Sequence, residues 1–278
     1  NAYRGRLLSV YMLVWLLAMA SGQLLIAAAD PAGHLLFLFC AVGYALSVVP
    51  LALATSAAPD YSSPTRVSLP VLWRVSPLAV VSAAMVGMIH GALVGMASVY
   101  AKAAGYATAE VAWLTAAIYL GGILLQIPIG RLSDRLERRL VLAAVAFAAA
   151  ATGGLAILLA ETDYWALVGA IGLLGGLALP LYSLCLALAN DRLTPQEMVG
   201  ASATIYLLVG LGAAVGPPIA GFLMQALGAW AFLLYLAVLQ AAMGLFALYR
   251  RRVSPPPQET TTAPPVPGRS TLMRFMPR

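Results

Sequence analysis

Long uninterrupted apolar runs constrain this chain more than any other feature. Eight of them follow one another, at approximately Leu8–Ala29, Leu35–Leu53, Pro77–Tyr100, Ala109–Ile129, Leu140–Ala160, Tyr164–Ala189, Val199–Ala226 and Ala229–Tyr249. Each is close to the ~20 residues that a helix needs to cross the hydrocarbon of a bilayer. Inside them the apolar residues are continuous rather than alternating, the pattern of helices and not of barrel strands. A hydrophobic fraction of 62 % in 278 residues is more than one soluble core buries. Lipid is then the solvent, and in lipid every backbone N–H and C=O must be satisfied within the fold. The expected fold is an all-α polytopic membrane protein.

The charges orient it. With residues 1–7 in the cytoplasm and sides alternating, 16 basic residues divide so that only Lys102 falls outside. That asymmetry is the positive-inside bias, and it accounts for the net charge of +6 without any nucleic-acid partner. It places the carboxyl end in the cytoplasm of a plasma membrane, the inner membrane in a bacterium. The short outer turns are acidic, with Asp30, Glu110, Glu161 and Asp163. Between the second and third runs, Ala54–Ser76 holds Pro59, Pro64 and Pro70, which disfavour a continuous helix, so this stretch reads as a cytoplasmic inter-domain linker. Residues 253–278 read as a basic, Pro-rich tail that cannot build a core. The two cysteines, Cys40 and Cys185, both sit in apolar runs, and no metal-ligand spacing is present. The chain starts at Asn1 without a signal-peptide pattern, so upstream sequence is expected.

One polar stretch interrupts this apolar chain most sharply: Gly130-Arg131-Leu132-Ser133-Asp134-Arg135-Leu136-Glu137-Arg138-Arg139, which reads as a tight basic turn between the fourth and fifth runs. A second motif, Gly210-Leu211-Gly212-Ala213-Ala214-Val215-Gly216-Pro217-Pro218-Ile219-Ala220-Gly221, exposes backbone for close packing and carries two prolines. A faint repeat aligns Tyr11–Ala18 with Tyr206–Ala213, six runs later. An even offset gives both copies the same orientation, as in parallel repeats.

The stretch at 130–139 resembles the cytoplasmic loop motif of the major facilitator superfamily, G-x-L-x-D-R-x-G-R-R. Gly130, Leu132, Asp134, Arg135, Arg138 and Arg139 match it, and Glu137 replaces the usual glycine. The Gly212–Gly221 stretch resembles the family's G-x-x-x-G-P-x-x-G signature. The resemblance implies a two-bundle transporter of which this chain is helices five to twelve. Residues 1–53 would be the last two helices of the first bundle, 54–76 the linker, and 77–252 a complete six-helix second bundle.

The resemblance further implies secondary transport of a small solute by alternating access, efflux or uptake, with H+ or another coupling ion as a possible second partner. The protein would be a monomer among membrane lipids. Gly130, Asp134, Arg135, Arg138 and Arg139 would form a conformational latch, with Asp134 near the positive end of the helix that starts around Val199. A plain basic anchor is the alternative. Gly212, Gly216, Pro217, Pro218 and Gly221 would mark a bending interface helix, or alternatively a generic small-residue packing face. The helices expected to line the cavity carry His90, Tyr182, Ser183 and Asn190, and an interface helix carries Tyr119 and Gln126. His90 suits solute hydrogen bonding or proton relay, or simply a bond to a neighbouring helix. No Asp, Glu, Lys or Arg lies mid-run. No nucleophile–base pair, phosphate loop or metal cluster points to an enzyme or a cofactor. A non-transporting membrane scaffold with the same layout is the competing class.

Overall fold

The computed structural model describes residues 14–26, 33–53 and 67–253. Among them every regular element is an α-helix: α1 (Val14–Ile26), α2 (Leu35–Ala52), α3 (Leu69–Val75), α4 (Pro77–Ala103), α5 (Thr108–Arg135), α6 (Arg138–Leu159), α7 (Tyr164–Ala178), α8 (Leu181–Asn190), α9 (Pro195–Leu227) and α10 (Ala231–Val253). Six helices are long and apolar enough to cross a membrane: α4, α5, α6, the paired α7 and α8, α9 and α10. The first two expected spans are described only as shorter apolar helices, α1 and α2. The tail beyond Val253 and the linker over 54–66 lie outside the described residues.

Packing runs through three helix pairs, α4 with α9, α5 with α7, and α6 with α10, joined into one core by contacts of α4 with α10 and of α6 with α7. Two of the pairs meet backbone to backbone. Gly87 and Gly91 of α4 face Val209 and Ala213 of α9, while Gly212 and Gly216 of α9 face Ala84 and Met88 of α4. A Cβ on Gly91 would lie 2.5 Å from the Ala213 carbonyl oxygen, so these positions admit only hydrogen. The α5–α7 pair repeats the device: a Cβ on Gly175 would lie 2.5 Å from the Ile118 carbonyl oxygen. In lipid no hydrophobic force drives helices together, and close van der Waals approach of this kind takes its place. Helix α9 runs unbroken through Pro217 and Pro218.

Helix ends follow their charges. Asp163 accepts from the Trp165 and Ala166 amides at the start of α7. The Glu110 carboxylate accepts from the Ala107 amide at 2.7 Å to cap α5. Thr194 and Glu197 close a capping box on α9. Helix α1 packs on α5, where Leu16 and Ala20 bury Tyr119 and Trp15 meets the Tyr119 ring edge-on at 6.5 Å. The described side chains along α2 are exposed apart from the half-buried Leu36.

Three local expectations change. The linker contains a helix, α3, because Pro70 falls in the first turn, where its missing N–H has no partner to lose. Arg192 donates to the Val75 carbonyl at 3.0 Å and Thr204 to the Val67 carbonyl at 2.6 Å, which pin that segment to the bundle. The run Tyr164–Ala189 is two helices, broken at Leu179–Pro180, since Pro180 has no N–H to give to the preceding turn. The stretch 130–139 is mostly helix: α5 continues to Arg135, α6 starts at Arg138, and only Leu136 and Glu137 lie between.

Candidate functional site

Helix α4 and the broken α7–α8 span stand side by side, and His90 joins them. Its Nε2 lies 2.9 Å from the carbonyl oxygen of Ala178, the last residue of α7. A carbonyl only accepts, so Nε2 carries the proton and Nδ1 is left as an acceptor in the neutral ring. The bond falls two residues before Pro180, and it satisfies a carbonyl beside the break. On the far side of the break, Ser183 donates to the Pro180 carbonyl at 2.7 Å. Tyr182 is half-buried beside it. These three polar side chains thus cluster around one helix interruption, where irregular backbone in a membrane protein needs polar partners.

The other cavity candidates lie elsewhere. Asn190 is the last residue of α8, beside Asp191 at the basic end, and its Oδ1 is buried without a partner among the described residues. Tyr119 is buried under α1 rather than beside His90. Gln126 is further along α5 and half-buried.

The basic end is held by ion pairs. Arg138 opens α6 and meets Asp191, just past α8. It also donates to the Ala187 carbonyl at 3.3 Å and sits 3.5 Å from Asp134. Glu137 accepts from Arg251 Nε at 2.8 Å, linking the α5–α6 turn to the end of α10. Burial pushes the Asp191 carboxyl above its usual range, outweighing the opposing pull of Arg138 and Arg192. Asp134 is 73 % exposed and, among the described residues, pairs with Arg138, four residues on. Among the described residues no contact joins it to the α9 N-terminus, whose capping carboxylate is Glu197. Arg135 is exposed, Arg139 is buried, and nothing crowds Gly130.

The partners Asp191 and Arg251 were not singled out in the sequence.

Residues 79–275 match the family model described as Major Facilitator Superfamily. The chain belongs to the major facilitator superfamily. It is 30 % identical over 226 residues to the uncharacterized MFS-type transporter YcaD of Salmonella heidelberg (strain SL476). Over 224 residues it is 28 % identical to the uncharacterized MFS-type transporter YE1530 of Yersinia enterocolitica. Each alignment covers 80 % of this chain and 57 % of the relative, so the chain spans little more than half the length of these proteins. No solved structure matches it. Membership makes it a multi-pass integral membrane protein of a transporter family, and the facilitator-type helix bundle is the one described above. The stretch that resembles the family's loop motif is the junction of α5 and α6, with ion pairs to Asp191 just past α8 and to Arg251 of α10.

Proposed function

We propose that this chain is the carboxyl-terminal part of a secondary transporter that moves a small solute by alternating access. Residues 1–53 supply the last two helices of a first bundle, and 77–252 form the second. The observation that carries this reading is the polar cluster of His90, Tyr182 and Ser183 at the Leu179–Pro180 break, within a family of transporters. A half-site near mid-membrane, completed by a facing half, is what such a transporter needs. His90 offers Nδ1 to the solute while Nε2 holds the helix end.

The basic end is the cytoplasmic side, by the positive-inside bias. There Arg138 and Glu137 brace α5 and α6 against α8 and α10, so this half moves as one body. Asp134 and Arg135 remain exposed to engage the facing half as a latch. Gly212, Gly216 and Gly221 hold α9 against α4, and the exposed remainder of α9 forms the interface with the facing half. Transport draws on H+ or another coupling ion, and the protein works as a monomer.

Solute flux into proteoliposomes containing the full-length protein tests this. Flux should fall at least severalfold for Asp134→Asn and for His90→Gln, with both variants folded. Absence of flux across a solute screen would instead favour a non-transporting scaffold. Unchanged flux in Asp134→Asn would remove the latch.

A further inference from the structure

The short helix α3 is covered on one side only. Leu72 is fully buried against the bundle, and Val67, just before the helix, is nearly so. The bonds from Arg192 to the Val75 carbonyl and from Thr204 to the Val67 carbonyl fasten both ends of the segment. Yet Leu69, Val71 and Trp73 stay 44 %, 44 % and 50 % exposed. Leu69 and Trp73 stand one turn apart along one edge of the helix, next to the buried Leu72. Arg74 falls on the side away from Leu72 and is exposed.

The helix that follows fixes the depth of α3. Ser76 alone separates α3 from α4. Helix α4 has 27 residues, so it is about 40 Å long against the ~30 Å of hydrocarbon, and when centred it extends roughly 5 Å beyond at each end. The junction therefore falls in the headgroup layer. The chain turns there, because Ser76, at φ −146° and ψ 78°, is not helical, and α3 leaves the line of α4. The charge suits the same layer: residues 61–109 contain no acidic residue, and Arg74 is the one charged side chain of α3.

We infer that α3 is a monotopic anchor lying in the interfacial layer of the bilayer, with Leu69 and Trp73 among the glycerol esters and upper acyl chains of phospholipids and Arg74 at their phosphates. An indole suits this layer because its apolar body and its N–H find different solvents within a few ångströms. A long arginine stem reaches from an apolar edge to the headgroups in the same way. A helix with an apolar edge, a cation on the other side and no acid is the pattern of a segment that lies on a membrane rather than across it. The anchor ties the segment leading into α4 to the membrane surface. The inference needs the bundle to sit in a bilayer, and it depends neither on transport nor on which side the basic end faces.

The test is site-directed spin labelling of the full-length protein, on a background without other cysteines, in vesicles of phosphatidylglycerol and phosphatidylethanolamine. Labels enter singly at Leu69→Cys and Trp73→Cys. Leu124→Cys, 72 % exposed on the spanning helix α5, is the lipid reference, and Arg252→Cys, exposed at the end of α10, is the aqueous one. Leu69 and Trp73 are exposed, so neither label disturbs buried packing. Power saturation with oxygen, which concentrates in lipid, and with a water-soluble nickel chelate reads the surroundings of each label. The oxygen-to-chelate collision ratio at positions 69 and 73 should lie severalfold above that at 252 and approach that at 124. A ratio as low as at 252 puts the face in water and overturns the inference. Labels shielded from both reagents overturn it too, and assign the face to contact with the rest of the protein.

Discussion

Arg138 is the residue on which the basic end turns, because it reaches Asp134, Asp191 and the α8 backbone at once. Its pair with Asp191 is partly exposed, at 28 % for each side chain, so solvent screens it. A double-mutant cycle of Arg138→Ala and Asp191→Asn, read by thermal unfolding in detergent, should give a coupling of about 1 kcal/mol or less. The raised carboxyl of Asp191 sets the pH dependence. The folded protein takes up this proton at a pH where the unfolded chain has already released it. Relative to Asp191→Asn, the wild type should therefore gain stability on acidification and lose it as pH rises through the aspartate range. An opposite slope in melting temperature against pH would show that Arg138, not burial, dominates. None of this pairing was legible in the sequence. Arg138 and Asp191 are 53 positions apart, and Glu137 and Arg251 are 114 apart, so only the fold brings them together. Glu137 looked like a defect in a motif, and its carboxylate is the partner of α10.

At the scale of elements, hydropathy located the six described spans well, since bilayer thickness fixes their length. It could not see the Leu179–Pro180 break, because apolar residues continue on both sides and hydropathy carries no information about a missing N–H. Nor could it see that α5 and α6 run on into the charged stretch, since Arg, Asp and Leu are compatible with helix. The glycine seams were half legible: the motif on α9 was visible, but its mates Gly87 and Gly91 on α4 were not distinguished from other small residues. They give a sharp contrast. Gly91→Ala and Gly212→Ala should each destabilise the protein by about 1–3 kcal/mol, because the new methyl meets backbone that cannot turn aside. Gly154→Ala, with nothing within 4 Å, should be neutral or slightly stabilising. Melting temperature and the monodisperse fraction on size exclusion read both outcomes. A tolerated Gly91→Ala would mean that α4 and α9 separate more easily than their contact implies.

At the scale of the whole molecule, the arginines predict sidedness. With Cys40 and Cys185 replaced, Lys102→Cys should react with a membrane-impermeant thiol reagent on intact cells, and Arg252→Cys only after permeabilisation. The reverse pattern would invert the proposed orientation. The general architecture was the most legible level of all, because apolar length, charge asymmetry and one loop motif all act over the entire chain. Where α1 sits was not legible. Its docking on α5 through Leu16, Ala20 and Tyr119 depends on side-chain shape rather than on hydropathy.

The seam between α4 and α9 has a mechanical meaning. Where Gly87, Gly91, Gly212 and Gly216 pack carbonyl against hydrogen, the two helices meet through backbone, which has no rotamers to absorb a displacement. The joint has almost no backlash. His90 leaves α4 between Gly87 and Gly91, so the same two turns that grip α9 also grip the end of α7. A shift of one ångström at the Leu179–Pro180 break therefore reaches α9 almost undiminished, across the width of a single helix.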